Sequence, residues 1–445
     1  MKISNLVLKN YRKYEDAVFF FHKRFTIIIG NNGAGKTTIL DAMATMLATY
    51  FQGSGIKVGR NTIGKEDRRL FVTEKGGQIS AEPQQDVYIV AEGVLRDMSL
   101  SWQRDAGDRG GKAKKLVKIG ADDRKRISKG ESLNLPILLY YGSGRLWDIH
   151  RDIETEKPGS QLDAYRFCLD PKSDQKAFQK WFKKLSLAAV QKHDRPTFAL
   201  EVVRKAVMHC IPDAADFFHD IDHDEPVIRF RDGEVTFFNM LSDGYRNMVA
   251  MVADIAYRAS RLNAHLGAEA AEKSTGVVLI DEIDLHLHPK WQKQVVGDLQ
   301  KAFPSMQFVA TTHSPFIIQS AAEGEIIDLN QSPPVEKSKE ASADFASPGA
   351  RAAYVNRSIE DIAEDVMGLK LPQRSRRYQM MYETAKEYYR LLHRLPPVEP
   401  EEKAIVKRKL DELAAPFSDN VAYHAFLEME RLAAGFGDDT EAETD

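Results

Sequence analysis

The chain has 445 residues and a mass of 50.2 kDa, room for about two or three domains and a substantial core. With 43% hydrophobic and 29% charged residues, a net charge of −3 and a pI of 6.5, it is not a protein that coats nucleic acid over its whole surface. Two widely spaced cysteines, Cys168 and Cys210, argue against a disulfide framework or zinc site, and no apolar run nears the ~20 residues of a membrane span.

The opening residues alternate like a strand, with Ile3, Leu6 and Leu8 among its apolar members, and have no signal-peptide core. A polar turn, the segment VFFF and a short apolar run, FTIIIG (25–30), follow and read as further strands. Helical spacing then takes over, with Ile39, Leu40, Met43, Met46 and Leu47 on one face. From about 52 to 85 the chain is polar and glycine-rich and reads as loop. DVYIVAEGVL and MSLSWQR read as strands. Residues 104–129 are dense in Lys and Arg; they read as a solvated hairpin, with a phosphate-contacting loop as the alternative.

LPILLYYGSGRLW reads as a buried strand ending in a tight Gly-Ser-Gly turn, and a mainly helical section extends to about 220. PVIRFRDGEVTFFNM is a hairpin whose Asp232-Gly233 suits a type I′ turn. A helix covers 245–262, and VVLIDE, QFVATTHS and EIIDLN are buried strands. Residues 331–350 have linker composition. Beyond them Ser358 can cap a helix that Gly368 ends. Tyr378, Met381, Tyr382, Ala385, Tyr388 and Leu392 line a second helix, Pro400 opens a third, and a fourth spans about 420–434. The acidic tail DDTEAETD reads as disordered, and no repeat or long heptad pattern is visible.

Gly30 to Thr37, GNNGAGKT, fits G-x-x-x-x-G-K-[ST] between a buried strand and a helix. In that setting the loop amides of Asn31, Asn32, Gly33, Ala34 and Gly35 and the start of the helix, Lys36 to Thr38, cradle phosphates. Lys36 spans the β- and γ-phosphates of ATP and Thr37 holds Mg²⁺. The strand VVLIDE is expected beside the P-loop strand, its end facing the phosphates. Asp281 would orient the metal and Glu282 act as general base. Two acids closing a buried strand are costly without a cation, and the nucleotide's metal is the natural one. His286 and His288 lack further ligands at compatible positions and read as packing or loop residues. His313, closing another apolar strand, is placed to reach the γ-phosphate, with a helix cap by Thr312 or Ser314 as the alternative.

The ordered set GNNGAGKTT, LSDGYR, VVLIDE and TTHS resembles the ATP-binding-cassette ATPase class. That resemblance implies that Ser242, Asp243 and Gly244 of one copy cover the nucleotide held by another, with Asp284 at the dimer interface. Asp243 and Tyr245 depart from the usual Leu-Ser-Gly-Gly-Gln pattern. The opening strand is similar to that of RecF, Rad50 and SMC heads, which makes Arg12, in the Asn10-Tyr11-Arg12 turn, a candidate nucleotide contact. Arg145 stands where a Q-loop residue would, although no Q-loop glutamine can be placed.

More narrowly, LPILLYYGSGRLW, LSDGYRNM, DEIDLHLHP and DNVAYHAFLEMERLAAG resemble bacterial ATP-binding proteins that include the ATPase subunit of the Septu antiphage system, PtuA, and retron-associated relatives. Without a signal-peptide core or an apolar span, a cytoplasmic protein is the default, and the roughly 200 residues between Lys36 and Ser242 are too few for long coiled-coil arms. The resemblance implies an α/β ATPase head working as a dimer or higher oligomer with a PtuB-like HNH nuclease partner. DNA would be contacted through that partner or the basic loop. The expected layout is a head split into 1–150 (with an antiparallel subdomain) and 226–330, around a helical insertion at 151–225. A linker (331–350), a helical region (351–437) and an acidic tail (438–445) complete it. The competing readings are a RecF-like clamp binding DNA directly, a transporter motor, and a self-contained nuclease. The N-terminal strand and altered signature weigh against the motor. The lack of a strand-borne Glu plus Asp-x-Asp cluster weighs against the nuclease.

Overall fold

A computed structural model describes residues 1–59, 62–75, 78–107, 111–145, 160–172, 175–191, 198–330, 358–359, 361–362, 376–393 and 400–433. The chain divides into two compact units, Met1–Ile362 and Ala363–Asp445.

In the first unit, strands β1 (Lys2–Tyr11), β2 (Tyr14–Phe20), β6 (Tyr88–Leu95) and β7 (Met98–Asp105) form an antiparallel sheet in the order β2-β1-β6-β7. Alternation and one irregularity explain it: Leu6 and Leu8 of β1 and Ile89 and Ala91 of β6 are buried two residues apart, and a register shift between Ile3 and Asn5 lets Ile3 be buried as well. Gln307 ties this sheet to the second one, its side chain exchanging hydrogen bonds with the backbone of Ile3 (2.8 Å each way).

The second sheet is parallel, with β3 (Phe25–Ile29), β8 (Ile137–Tyr141), β12 (Gly276–Ile280), β13 (Met306–Thr311) and β14 (Ile326–Asp328) in the order β14-β3-β13-β12-β8. Its interior strands are buried along their whole length, as in a parallel sheet covered on both faces, and apart from Thr26, Gln307 and Thr311 they are apolar. The order corrects one expectation: VVLIDE is not beside the P-loop strand, since β13 lies between β3 and β12. Ile28 pairs with Thr311, Ala310 with Ile280 and Ile280 with Tyr141. Four strands therefore end at one edge, where ligands bind in open α/β sheets.

Three further expectations are corrected. The stretch 52–85 holds an antiparallel hairpin, β4 (Leu70–Lys75) and β5 (Gln78–Pro83), hidden from sequence reading because both its faces are exposed and no alternation marks it. The basic stretch 104–129 is mostly helix, as described further on. The helical section ends before 220, because β9 (Ala214–Asp220) joins β10 (Glu225–Phe230) and β11 (Val235–Phe237) in a three-stranded sheet. The β10–β11 turn is not type I′. Only Gly233 takes positive φ (91°); its N–H bonds the Phe230 carbonyl (3.1 Å), and the Phe230 N–H bonds the Glu234 carbonyl (2.8 Å), the pattern of a three-residue loop with a glycine bulge.

The helices of the first unit are α1 (Lys36–Ala48), α2 (Lys114–Ser128), α3 (Gln175–Gln191), α4 (Phe198–Cys210), α5 (Asp243–Leu262), α6 (Ala270–Lys273), α7 (Pro289–Gln292), α8 (Val295–Ala302) and α9 (Pro315–Gln319). Ser358 caps a helical turn, accepting from the Asp361 N–H (3.1 Å), and both cysteines are free and buried. The second unit packs helices Arg376–Leu392, Pro400–Ala414 and Val421–Ala433 around Tyr388, Leu392, Val406, Leu410, Ala414 and Leu427. The side chains of Tyr378 and Tyr382, Gly368, the linker 331–350 and the acidic tail lie outside the described residues. No helix among the described residues is long and apolar enough to cross a membrane.

Candidate functional site

The loop GNNGAGKT leaves β3 at Gly30 and enters α1 at Lys36. Gly33 and Gly35 take φ of 76° and 97°, a region where a side chain is strained. At Gly35 there is also no room, for a Cβ would lie 2.6 Å from both Lys13 Cδ and the Tyr14 hydroxyl. These two residues, from the β1–β2 turn, lie across the loop. Lys13 Nζ donates to the carbonyls of Gly33 (3.1 Å) and Ala34 (2.6 Å), and the Tyr14 hydroxyl donates to that of Ala34 (3.1 Å). The loop carbonyls are thus turned towards side chains. Gly35 supplies no side-chain cap, so the first-turn amides of α1 have no partner from the helix itself. That is a ready anion site, and it fits a triphosphate. Lys36 is buried, its Nζ donating to the carbonyls of Gly30 (2.8 Å) and Asn31 (3.2 Å). Burial lowers its pKa, opposed by Asp281, Glu282 and Asp284.

Asp281 accepts from Thr37 Oγ1 (2.9 Å) through one oxygen and from Thr311 Oγ1 (2.6 Å) through the other. The same Thr311 oxygen accepts the Glu282 N–H (2.7 Å). Two hydroxyls therefore satisfy a carboxylate only 4% exposed. The Thr37 hydroxyl and Asp281 carboxylate are adjacent hard-oxygen donors, the set a Mg²⁺ ion takes, so these residues fit that ion. Glu282 has φ of 49° and is half-buried, and its carboxylate carries no hydrogen bond among the described residues. Asp284 accepts from Thr312 Oγ1 (2.6 Å). His313 follows, half-buried; burial first, then Lys36, lowers its pKa, which favours the neutral imidazole. Of the two cap candidates, Ser314 rather than Thr312 caps α9, accepting from the N–H of Phe316 (3.2 Å) and Ile317 (3.4 Å).

Arg145 joins this edge to α5. Its Nη1 donates to the carbonyls of Asp281 (2.7 Å) and Gly142 (3.0 Å), Nη2 to that of Glu282 (3.0 Å), and Nε to Asn247 Oδ1 (2.6 Å). Burial pulls its pKa down to about 10, against Asp281, Glu282 and Asp284, so it stays charged at neutral pH. Ser242 is the N-cap of the 20-residue α5, exposed and without a side-chain cap bond. Asp243 pairs with Arg246. Gly244 is buried against the loop after Glu282, where a Cβ would meet the His286 carbonyl at 2.3 Å. Tyr245 packs edge-on against Trp291 (3.8 Å between ring centroids). Among the described residues no hydrogen bond or ion pair joins Ser242, Asp243 or Gly244 to the P-loop of the same chain.

Arg12 sits beside the P-loop helix but is engaged elsewhere, by Asp41 (2.7 Å) and Asp67 (2.9 Å). Asn31, Asn32 and Gly33 are exposed, and the Asn31 N–H is held by Asn330 Oδ1 (2.9 Å). His288 accepts the Lys290 N–H (3.3 Å) as N-cap of α7, and His286 is exposed with φ of 61°. Sequence reading missed Lys13, Tyr14 and Thr311. The Lys-Tyr pair following Arg12 was a signal for the first two; Thr311 looks like any strand threonine.

Two family models match: one described as "AAA domain" over residues 5–195, the other as "AAA domain, putative AbiEii toxin, Type IV TA system" over residues 211–319. The "Retron Vc95 probable ATPase" of Vibrio cholerae serotype O1 biovar El Tor is 26% identical over 396 residues, covering 74% of each chain. The "Retron Ec83 probable ATPase" of Escherichia coli is 26% identical over 385 residues, covering 71% of this chain and 69% of that protein. The "Septu protein PtuA" of Bacillus thuringiensis is 28% identical over 361 residues, covering 78% of this chain and 80% of that protein.

Proposed function

We propose that this chain, similar over most of its length to Septu and retron ATPases, is a P-loop ATPase of the ATP-binding-cassette type in which ATP closes two copies head to head. The P-loop of each copy would hold a nucleotide that the α5 N-terminus of the other covers. One observation carries this reading: Ser242 heads a 20-residue helix with its hydroxyl uncommitted and no link to its own P-loop among the described residues. The hydroxyl and the helix N-terminus are suited to the outer face of a γ-phosphate.

Within the composite site, Lys36 and the α1 amides bind the phosphates. Thr37 and Asp281 would hold Mg²⁺, which when bound would neutralise charge on the phosphate oxygens. Glu282 takes a proton from the attacking water, its backbone aimed by Thr311 and Arg145. His313, as a neutral imidazole, donates towards the γ-phosphate, and Asp284 contributes to the interface. Hydrolysis reopens the pair. In this reading the chain is the ATPase subunit of an antiphage system, and its nucleotide state governs a separate HNH nuclease subunit that cuts DNA.

The test is the solution mass of Glu282→Gln with and without ATP and Mg²⁺. ATP should double the mass, and Ser242→Arg should prevent the change. A mass indifferent to ATP contradicts the reading.

A further inference from the structure

The basic stretch 114–129 has a geometry that ATP binding does not use. α2 has 15 residues, so it is about 22 Å long. Leu116, Gly120 and Asp123 are buried and Ile127 half-buried, at spacings of a helical stripe, and this face fastens α2 to the body. At about 100° per residue, Lys114, Lys125, Lys118, Lys129 and Lys115 fall on the opposite face within an arc of roughly 100°. All five are exposed, and none forms an ion pair among the described residues. Asp122 is the one acid on that arc, because Asp123 is turned inward onto Arg96 (2.7 Å). On a chain of net charge −3 this is a concentrated positive stripe.

The buried side of α2 rests on the continuation of the P-loop helix. α1 runs directly into a 3₁₀ turn, Thr49–Phe51. The Tyr50 hydroxyl donates to Asp123 (2.7 Å), and Arg124 donates to the carbonyls of Tyr50 (3.1 Å) and Gln52 (3.3 Å). Gly120 allows the close approach, since a Cβ there would lie 2.0 Å from the Tyr50 carbonyl. α2 therefore rests on the far end of the helix that begins with Lys36 and Thr37.

We propose that the exposed lysine face of α2 docks the phosphate backbone of duplex DNA, without reading base sequence, and that Tyr50 couples its occupancy to the P-loop helix. The chemistry selects this partner. A linear lysine row about 22 Å long matches closely spaced phosphates. No aromatic side chain interrupts it, so there is nothing to stack on bases. An anionic membrane is disfavoured because the exposed arc has no apolar residue to insert, the apolar face being packed inward. This inference rests on the ATPase reading only for the coupling; the docking stands apart from it.

The experiment uses the full chain and a fluorescein-labelled 30-base-pair duplex, followed by anisotropy between 50 and 200 mM salt without nucleotide. Four or five lysine contacts should weaken binding roughly a hundredfold or more over that range. Lys114→Gln/Lys118→Gln/Lys125→Gln/Lys129→Gln, with a melting temperature matching the parent's, should lose most of the affinity and most of the salt slope. Binding by that variant equal to the parent's overturns the docking. So does the absence of duplex binding at 50 mM salt, or binding of phosphatidylserine vesicles in preference to the duplex. Tyr50→Phe should bind the duplex like the parent yet lose the change in ATP turnover that duplex causes; an unaltered response overturns the coupling. A chain that binds duplex but hydrolyses no ATP would contradict the ATPase mechanism and leave the docking standing.

Discussion

Arg145 donates from Nε to Asn247 Oδ1 at 2.6 Å, while its two terminal nitrogens hold the carbonyls of Asp281 and Glu282. One buried guanidinium thus connects the acidic end of β12 to the helix that Ser242 caps. Arg145→Ala leaves those carbonyls and the Asn247 amide oxygen without their donors. A loss of about 3–5 kcal/mol in urea unfolding is expected, by analogy with breaking a buried charged pair. Arg145→Lys should recover stability in part and turnover little, because an ammonium cannot span both carbonyls and Asn247.

Thr311 supplies one hydroxyl to two partners, Asp281 Oδ1 and the Glu282 N–H. Thr311→Val keeps the shape and removes both. The expected cost is about 1–3 kcal/mol of stability. Steady-state kinetics should show a fall in kcat with KM for ATP little changed, since the P-loop amides and Lys36 are untouched.

Gly244 lies where a methyl group would sit 2.3 Å from the His286 carbonyl. Gly244→Ala pushes the start of α5 off the loop that follows Glu282, at a cost of about 1–3 kcal/mol. Thermal melting reads the stability term. Loss of ATP-dependent dimerisation in a variant still folded at the assay temperature reads the displacement of Ser242.

Glu282→Gln should slow hydrolysis by about 10²-fold or more in a single-turnover assay, without weakening ATP binding. A turnover rate equal to the parent's removes Glu282 from its assigned role.

His313 gives a pH signature. Its folded pKa lies below 6.5 because of burial and the nearby Lys36, so between the two values the unfolded chain binds more protons. The associated stability is present above pH 6.5 and is lost as pH falls through the folded pKa. His313→Ala should flatten that part of the urea-stability profile relative to the parent. An identical slope in both proteins would contradict the placement of the ring.

What the sequence made legible follows from locality. The phosphate loop, the strand ending in Asp281 and Glu282, and the helix after Ser242 announce themselves because glycine, charge and periodicity are concentrated within a dozen residues. Strand order is not local: nothing within VVLIDE says that β13 separates it from β3. α2 was hidden because its charged face supplies most of its residues, leaving Leu116, Gly120, Asp123 and Ile127 as a sparse inner stripe. Thr311 and Arg145 act through partners distant in sequence, Asp281 and Asn247, and side chains of that kind emerge only when the strands are assembled.

The sharing of one nucleotide between two copies is tested most directly by mixing inactive chains. Lys36→Ala destroys a P-loop and Ser242→Arg destroys a covering helix, so each chain alone should be inactive. In a mixed pair, the P-loop of the second chain meets the Ser242 of the first, and one intact site forms. ATPase activity should appear on mixing. A mixture as inactive as its components would mean that Ser242 does not complete the site of another copy.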